Sequence, residues 1–158
     1  MSPNEETTLQ EIQAAIDRVL PWFDCDKNAA GWLPSNNGWS IQEILEHIVL
    51  TSHYLLLLID KGARKSLAAK SKGAVISLPQ DYELIPESLA ESGIFQAFTW
   101  HRPEHMDPRK NSMEGDPKLN FLQQMDRCRM VVESLTGGWG HYTKTTMTVN
   151  AIGKLDVY

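Results

Sequence analysis

Three stretches of the chain repeat apolar residues at helical spacing. The first carries Leu9, Ile12, Ile16, Val19 and Leu20, and predicts a helix from Asn4 or Thr7 to Leu20 that Pro21 limits or kinks. The second opens on Ser40, a good N-cap, with Glu43 three residues on. That spacing makes a capping box, in which the hydroxyl accepts from a first-turn N–H and the carboxylate reaches back to the Ser40 N–H. Ile41, Ile44, Leu45, Ile48, Ser52, Leu55, Leu56 and Ile59 then share one face. Leu50, Leu57 and Leu58 lie outside it, so the second half of this helix is apolar nearly all round and is expected to be buried on several sides or in an interface. Gly62 is the expected stop, with Lys61 and Arg64 at the negative end of the helix dipole. In the third stretch Asp116 caps, Pro117 takes the first helical position, and Phe121, Met125, Cys128, Val132 and Leu135 follow at spacing 4-3-4-3. This is the seam of a helix packed lengthwise in a bundle, closed by Gly137 and Gly138.

The segments between are less patterned. Asp24 to Gly38 reads as a loop carrying Trp32 and Leu33. Gly62 to Gly115, with Pro79, Pro86 and Gly93, is a long link in which Ser88 to Ala97 could form a short helix. A connection of that length usually crosses the fold or serves a function. Thr143 to Asn150 is rich in β-branched residues and predicts a brief strand or an extended crossover. Asp156 looks like an N-cap with no helix after it. The whole chain, 1–158, reads as one domain, of a size that buries a real core.

Composition narrows the function classes. The formal net charge of −5 and the absence of a basic stripe argue against nucleic-acid binding. The densest positive cluster, Lys61, Arg64, Lys65, Lys70 and Lys72, is a solvated helix end. Cys25 and Cys128 belong to no CxxC pair; Cys128 falls on an apolar helix face and Cys25 in a loop. The acidic N-terminus is unlike a signal peptide, and Leu55 to Ile59 is too short to span a bilayer, so no membrane partner and a cytoplasmic location are expected. No phosphate-binding loop, dinucleotide fingerprint or nucleophile elbow is present.

The histidines are the remaining candidates. His47 lies on the flank of the apolar face of helix two and is expected to point into the bundle, as a satisfied structural group or as a metal ligand. His101-Arg102-Pro103-Glu104-His105 has the order of one metalloprotease motif. Pro103 breaks the helix that would bring both rings to one face, so a surface loop is expected. His53 and His141 read as surface or interface residues without ligand spacing to a partner.

Gly38-Trp39-Ser40-Ile41-Gln42-Glu43-Ile44-Leu45-Glu46-His47-Ile48 and Gly153-Lys154-Leu155-Asp156-Val157-Tyr158 together resemble the DinB-like superfamily, over nearly the whole chain. The resemblance implies an all-α fold, an antiparallel up-and-down helical bundle with a long link between helices two and three. It also implies a divalent metal, nickel or zinc, held by three histidines: one on helix two and two on the last helix. Only His47 matches such a position, so the resemblance leads to a bundle whose C-terminal helix is absent from this sequence and whose catalytic residues are unknown. The implied activities are a metal-dependent transferase of a low-molecular-weight thiol or a hydrolase-like enzyme. The alternative is a non-catalytic, stress-associated helical bundle that binds a small molecule or a protein partner. Helices with so much apolar surface and no fourth helix to cover it predict a homo-oligomer, most simply a dimer with helix two near the interface.

Overall fold

The computed structural model describes residues 3–78, 82, 103–146 and 153–158, and these are mostly helical. The principal elements are α1 (Pro3–Val19), a short α2 (Lys27–Gly31), α3 (Ile41–Ser71) and α4 (Pro117–Ser134). Single 3-10 turns occupy Leu20–Asp24, Glu104–Met106 and Trp139–Tyr142, and strands β1 (Thr145–Thr146) and β2 (Lys154–Leu155) pair antiparallel. Among the described residues no helix is long and apolar enough to cross a membrane. The short helix expected over Ser88 to Ala97 lies outside the described residues, as do Pro79, Pro86 and Gly93.

The expected start of α3 is met in full. Glu43 N donates to Ser40 Oγ at 3.1 Å, and Ser40 N donates to Glu43 Oε2 at 2.8 Å. The end differs. Gly62 does not stop the helix, which runs on to Ser71. One glycine costs a helix about 1 kcal/mol, and the residues after it are mainly strong helix formers. Their burial adds to that: Ala63 and Ser66 are both buried, and Ser66 Oγ donates to Thr143 Oγ1 at 2.9 Å. Gly62 has a different use. A Cβ there would stand 3.2 Å from both Thr145 Oγ1 and Val157 Cγ2, so its bare backbone lets β1 and the C-terminal residues lie close against α3. The true stop is Gly73, at φ +78°. Ala74 N donates to Ala69 O and Gly73 N to Lys70 O, the two bonds of a Schellman motif.

The chain forms two compact units. One comprises Gln10–Leu57 and Arg102–Arg129. Its core is Ile16, Val49 and Phe121, and Phe23 packs on Phe121 with ring centroids 5.5 Å apart. The buried stripe of α3 is rotated from the expected one. Leu50 is almost fully buried, whereas Ile44 remains 44 % exposed, because the elements that cover α3 meet its Leu45–Val49 side. Gln124 is also buried. Its amide donates to the Val49 carbonyl at 3.1 Å, and Oε1 has no hydrogen-bond partner among the described residues. The loop before Gly38 contains α2, which the sequence reading missed; its signal is Asp26, whose carboxylate accepts from Asn28 N and Ala29 N as an N-cap.

The other unit comprises Met1–Leu9, Leu58–His101 and Met130–Tyr158. Its core is Ala63, Leu135 and Val157, with Ile59, Val131 and Trp139 packed against it. The brief strand expected after Thr143 is present as two residues, Thr145 opposite Leu155 and Thr146 opposite Lys154.

Candidate functional site

Two histidines, one in each unit, make hydrogen bonds through their ring nitrogens. His47 sits in the second turn of α3 and is half-buried. The Trp39 ring covers it at 4.8 Å between centroids. Its Nδ1 lies 2.7 Å from the carbonyl oxygen of Met106, which belongs to the buried end of the Glu104–Met106 turn. A carbonyl only accepts, so Nδ1 carries the proton and, in the neutral ring, Nε2 keeps its lone pair. Thr51 Oγ1, one helical turn on, is 3.5 Å from Nε2, at the outer limit of a hydrogen bond. This is the tautomer of a metal-binding imidazole, in which the far nitrogen is oriented by a backbone carbonyl.

The other histidines of this unit have separate surroundings. His105 is exposed and meets Tyr54 edge-on at 4.3 Å, and His53 meets the same tyrosine at 5.2 Å. Glu104 pairs with Lys110 at 2.7 Å, which lowers its pKa. The Glu104–His105 segment is an exposed turn, as expected from Pro103, while His101 lies outside the described residues. Among the described residues no group of three or more His, Cys, Asp or Glu could hold a metal ion. A complete three-histidine centre does not form from the described residues.

The loop that carries Met106 is tied to the start of α3 by Arg109. Its guanidinium grips Glu43 with Nε to Oε1 at 2.6 Å and Nη2 to Oε2 at 3.2 Å, and Nη2 also donates to Gly38 O at 2.8 Å. The Arg109 bond, helped by the Ser40 N–H, holds the Glu43 carboxyl down at about 2. Glu43 is legible in the sequence as a cap, and its partner Arg109 is not. No local spacing could have revealed it, since the partners are 66 residues apart.

His141 is the larger correction. It is buried, with a side chain only 3 % exposed, and is neither a surface nor an interface group. Its Nδ1–H is shared between Asp156 Oδ2 at 2.9 Å and Tyr82 Oη at 2.7 Å, and Nε2 accepts from Asn4 Nδ2 at 3.0 Å. The Tyr82 hydroxyl donates to the same Asp156 oxygen. Burial, then the Asp156 carboxylate, pushes the Tyr82 phenol up. Asp156, which reads as a cap without a helix, uses Oδ1 to accept from Tyr158 N two residues on, and Oδ2 for this network. The Tyr158 ring seals the other side of His141 at 4.6 Å. Its hydroxyl donates to Leu135 O and reaches Glu5 Oε1 at 3.2 Å, and burial pushes it up to about 12. Acid, base and phenol are all present, but they are enclosed. The cluster ties α1, the long link and the C-terminal residues together as a structural network.

Cys128 is half-buried, and burial raises its thiol pKa. Cys25 lines a cavity of about 360 Å³ with Trp22, Lys27, Glu46 and Lys118, the last held by Asp24 at 2.6 Å. Glu46 and His47 are successive helical residues and diverge by roughly 100°, so this cavity opens beside the His47 face.

Compared with known proteins, the chain matches no family model, no curated protein and no solved structure.

Proposed function

We propose that the chain is a DinB-like helical protein in which His47 is one ligand of a divalent metal, nickel or zinc. The observation that carries this reading is the 2.7 Å contact from His47 Nδ1 to the Met106 carbonyl, which leaves Nε2 as the open donor. A working zinc centre takes three protein ligands and an open position. The described residues supply one, so no reaction step is assigned to the metal; a metal-dependent thiol transferase or hydrolase-like activity is the class the proposal names. A homodimer belongs to the same proposal, supported by exposed Leu57 on α3. The test is nickel and zinc binding to the purified chain, read by metal analysis alongside intact mass and light scattering. Near-stoichiometric metal that is lost in His47→Ala with helicity unchanged supports the proposal. Absence of uptake at micromolar metal by a folded protein refutes it, and a clean monomer removes the dimer.

A second reading, a non-catalytic helical protein that binds a small molecule, has its own support. Trp22 and Ile44, large apolar side chains on one unit, stay 54 % and 44 % exposed and line a common groove.

A further inference from the structure

The segment from Pro103 to Asn111 is braced by bonds within itself. Met106 N donates to Pro103 O at 3.0 Å, Asn111 N to Asp107 O at 2.9 Å, and Asn111 Nδ2 to Glu104 O at 2.8 Å. Arg109 N donates to Asp107 Oδ1 at 3.0 Å, and Met106 and Asp107 are buried. A polar network of this kind rigidifies the backbone that carries it. Two groups of the segment, three residues apart, reach the start of α3. The Met106 carbonyl meets His47, and the Arg109 guanidinium takes Glu43 through two nitrogens and Gly38 O through one. Glu43 and His47 are four residues apart and so share one side of α3. The Arg109 grip is bidentate and charge-assisted, with the two side chains only 35 % and 20 % exposed, which is the geometry in which such a pair fixes position.

A neutral histidine side chain in water prefers its proton on Nε2. At His47 the Met106 carbonyl reverses that preference, and it does so only while it stays in line with Nδ1 and close to 2.7 Å. We infer that Arg109 is a positioning residue for His47: it clamps the 103–111 segment onto α3 so that the Met106 carbonyl selects the Nδ1–H tautomer and leaves Nε2 open. Arg109 thus acts on a ring through another residue's backbone. The inference deepens the metal reading and rests on it only for the use of the open nitrogen, since the tautomer belongs to the metal-free ring.

The test reads the ring nitrogens of the metal-free whole chain by nitrogen NMR, which separates a protonated from an unprotonated imidazole nitrogen, with His47→Gln to assign the signals. Wild-type His47 carries its proton on Nδ1. In Arg109→Gln the ratio of Nδ1–H to Nε2–H falls roughly tenfold, the weight of about one hydrogen bond. Arg109→Lys, which keeps a charge-assisted bond to Glu43, recovers part of the ratio. Lys118→Ala removes a pair elsewhere on this unit, Lys118 to Asp24 at 2.6 Å, and leaves the ratio unchanged. Helicity is the same in all of them. Zinc affinity, measured separately on the same variants, falls by roughly 10–100-fold in Arg109→Gln. A proton that stays on Nδ1 in Arg109→Gln overturns the inference and leaves the metal reading standing. A wild-type ring with its proton on Nε2 overturns the inference whether or not zinc binds. An equal change in Lys118→Ala overturns it as well, because general loosening is then the cause. A tautomer that follows Arg109 in a chain that takes up no zinc supports the inference and removes the metal reading.

Discussion

Gly140→Ala isolates the contact on which the C-terminal residues depend. The backbone at Gly140 is outside the left-handed region, so alanine meets no conformational strain there. The obstacle is the Tyr158 ring. A Cβ at position 140 would lie 2.5 Å from Cζ and 2.6 Å from both Cε atoms, where ordinary contact begins at 3.4 Å. The ring must therefore retreat by roughly 1 Å. It is held against that movement by its hydroxyl bond to Leu135 O, by Tyr158 N to Asp156 Oδ1, and by Val157 N to Gly140 O at 3.1 Å. Overpacking costs about 1–3 kcal/mol, and a lost hydroxyl bond adds about 1 kcal/mol. The expected loss is about 2–4 kcal/mol, or a fall in Tm of roughly 4–16 °C for a chain of this size. Urea unfolding of the wild type, Gly140→Ala, Tyr158→Ala and the double variant, followed by tryptophan fluorescence, closes a double-mutant cycle. If the ring is the obstacle, Gly140→Ala costs less than about 0.5 kcal/mol once Tyr158 is already alanine. An equal cost in both backgrounds would refute the reasoning, since the penalty would then come from the backbone or from another neighbour.

Three further outcomes follow from the polar contacts. His141→Ala removes a ring N–H from the buried Asp156 carboxylate and is expected to cost about 1.5–3 kcal/mol in chemical unfolding, and because the two residues are in contact the loss in a His141→Leu, Asp156→Leu double variant is less than the sum of the singles. In Arg109→Ala the Glu43 carboxyl returns from about 2 toward its ordinary 4.5, read by carboxyl NMR titration. Because the folded-state value is depressed, the stability linked to Glu43 is present above pH 4.5 and fades as pH falls toward 2 in the wild type, and this acid dependence is lost in the variant. Tyr158 has the opposite sign. Its folded-state value is raised from 10.0 to about 12, so its contribution is complete below pH 10 and fades between 10 and about 12, and Tyr158→Phe flattens that part of the alkaline stability curve.

The contrast between Glu43 and His141 shows how far the residues alone can be read. Ser40 and Glu43 are three positions apart on one helix turn, and the bonds they make depend only on local backbone geometry. The same holds for Asp116, whose carboxylate accepts from Leu119 N at 2.8 Å, and for the seam along α4, where Phe121 and Val132 are buried, as is Leu135 just past its end. His141 and Asp156 are 15 residues apart in a region without periodicity, and Tyr82 is 59 residues from His141. A pairing at that separation leaves no spacing signal. Gly73 and Gly62 make the same point in reverse: both are glycines at which a helix could stop, but only the close approach of Thr145 and Val157 tells the spacer from the stop.

The sequence by itself determined the helical class, the starts of α3 and α4 and the position of His47 on α3, because capping and the 3.6-residue repeat are properties of a few consecutive residues. Tertiary structure decided which side of α3 is buried, how far that helix runs, which nitrogen of His47 is open and that His141 is enclosed. Each of these depends on a group supplied from far along the chain: a covering side chain, the backbone beside Gly62, the Met106 carbonyl and the Asp156 carboxylate.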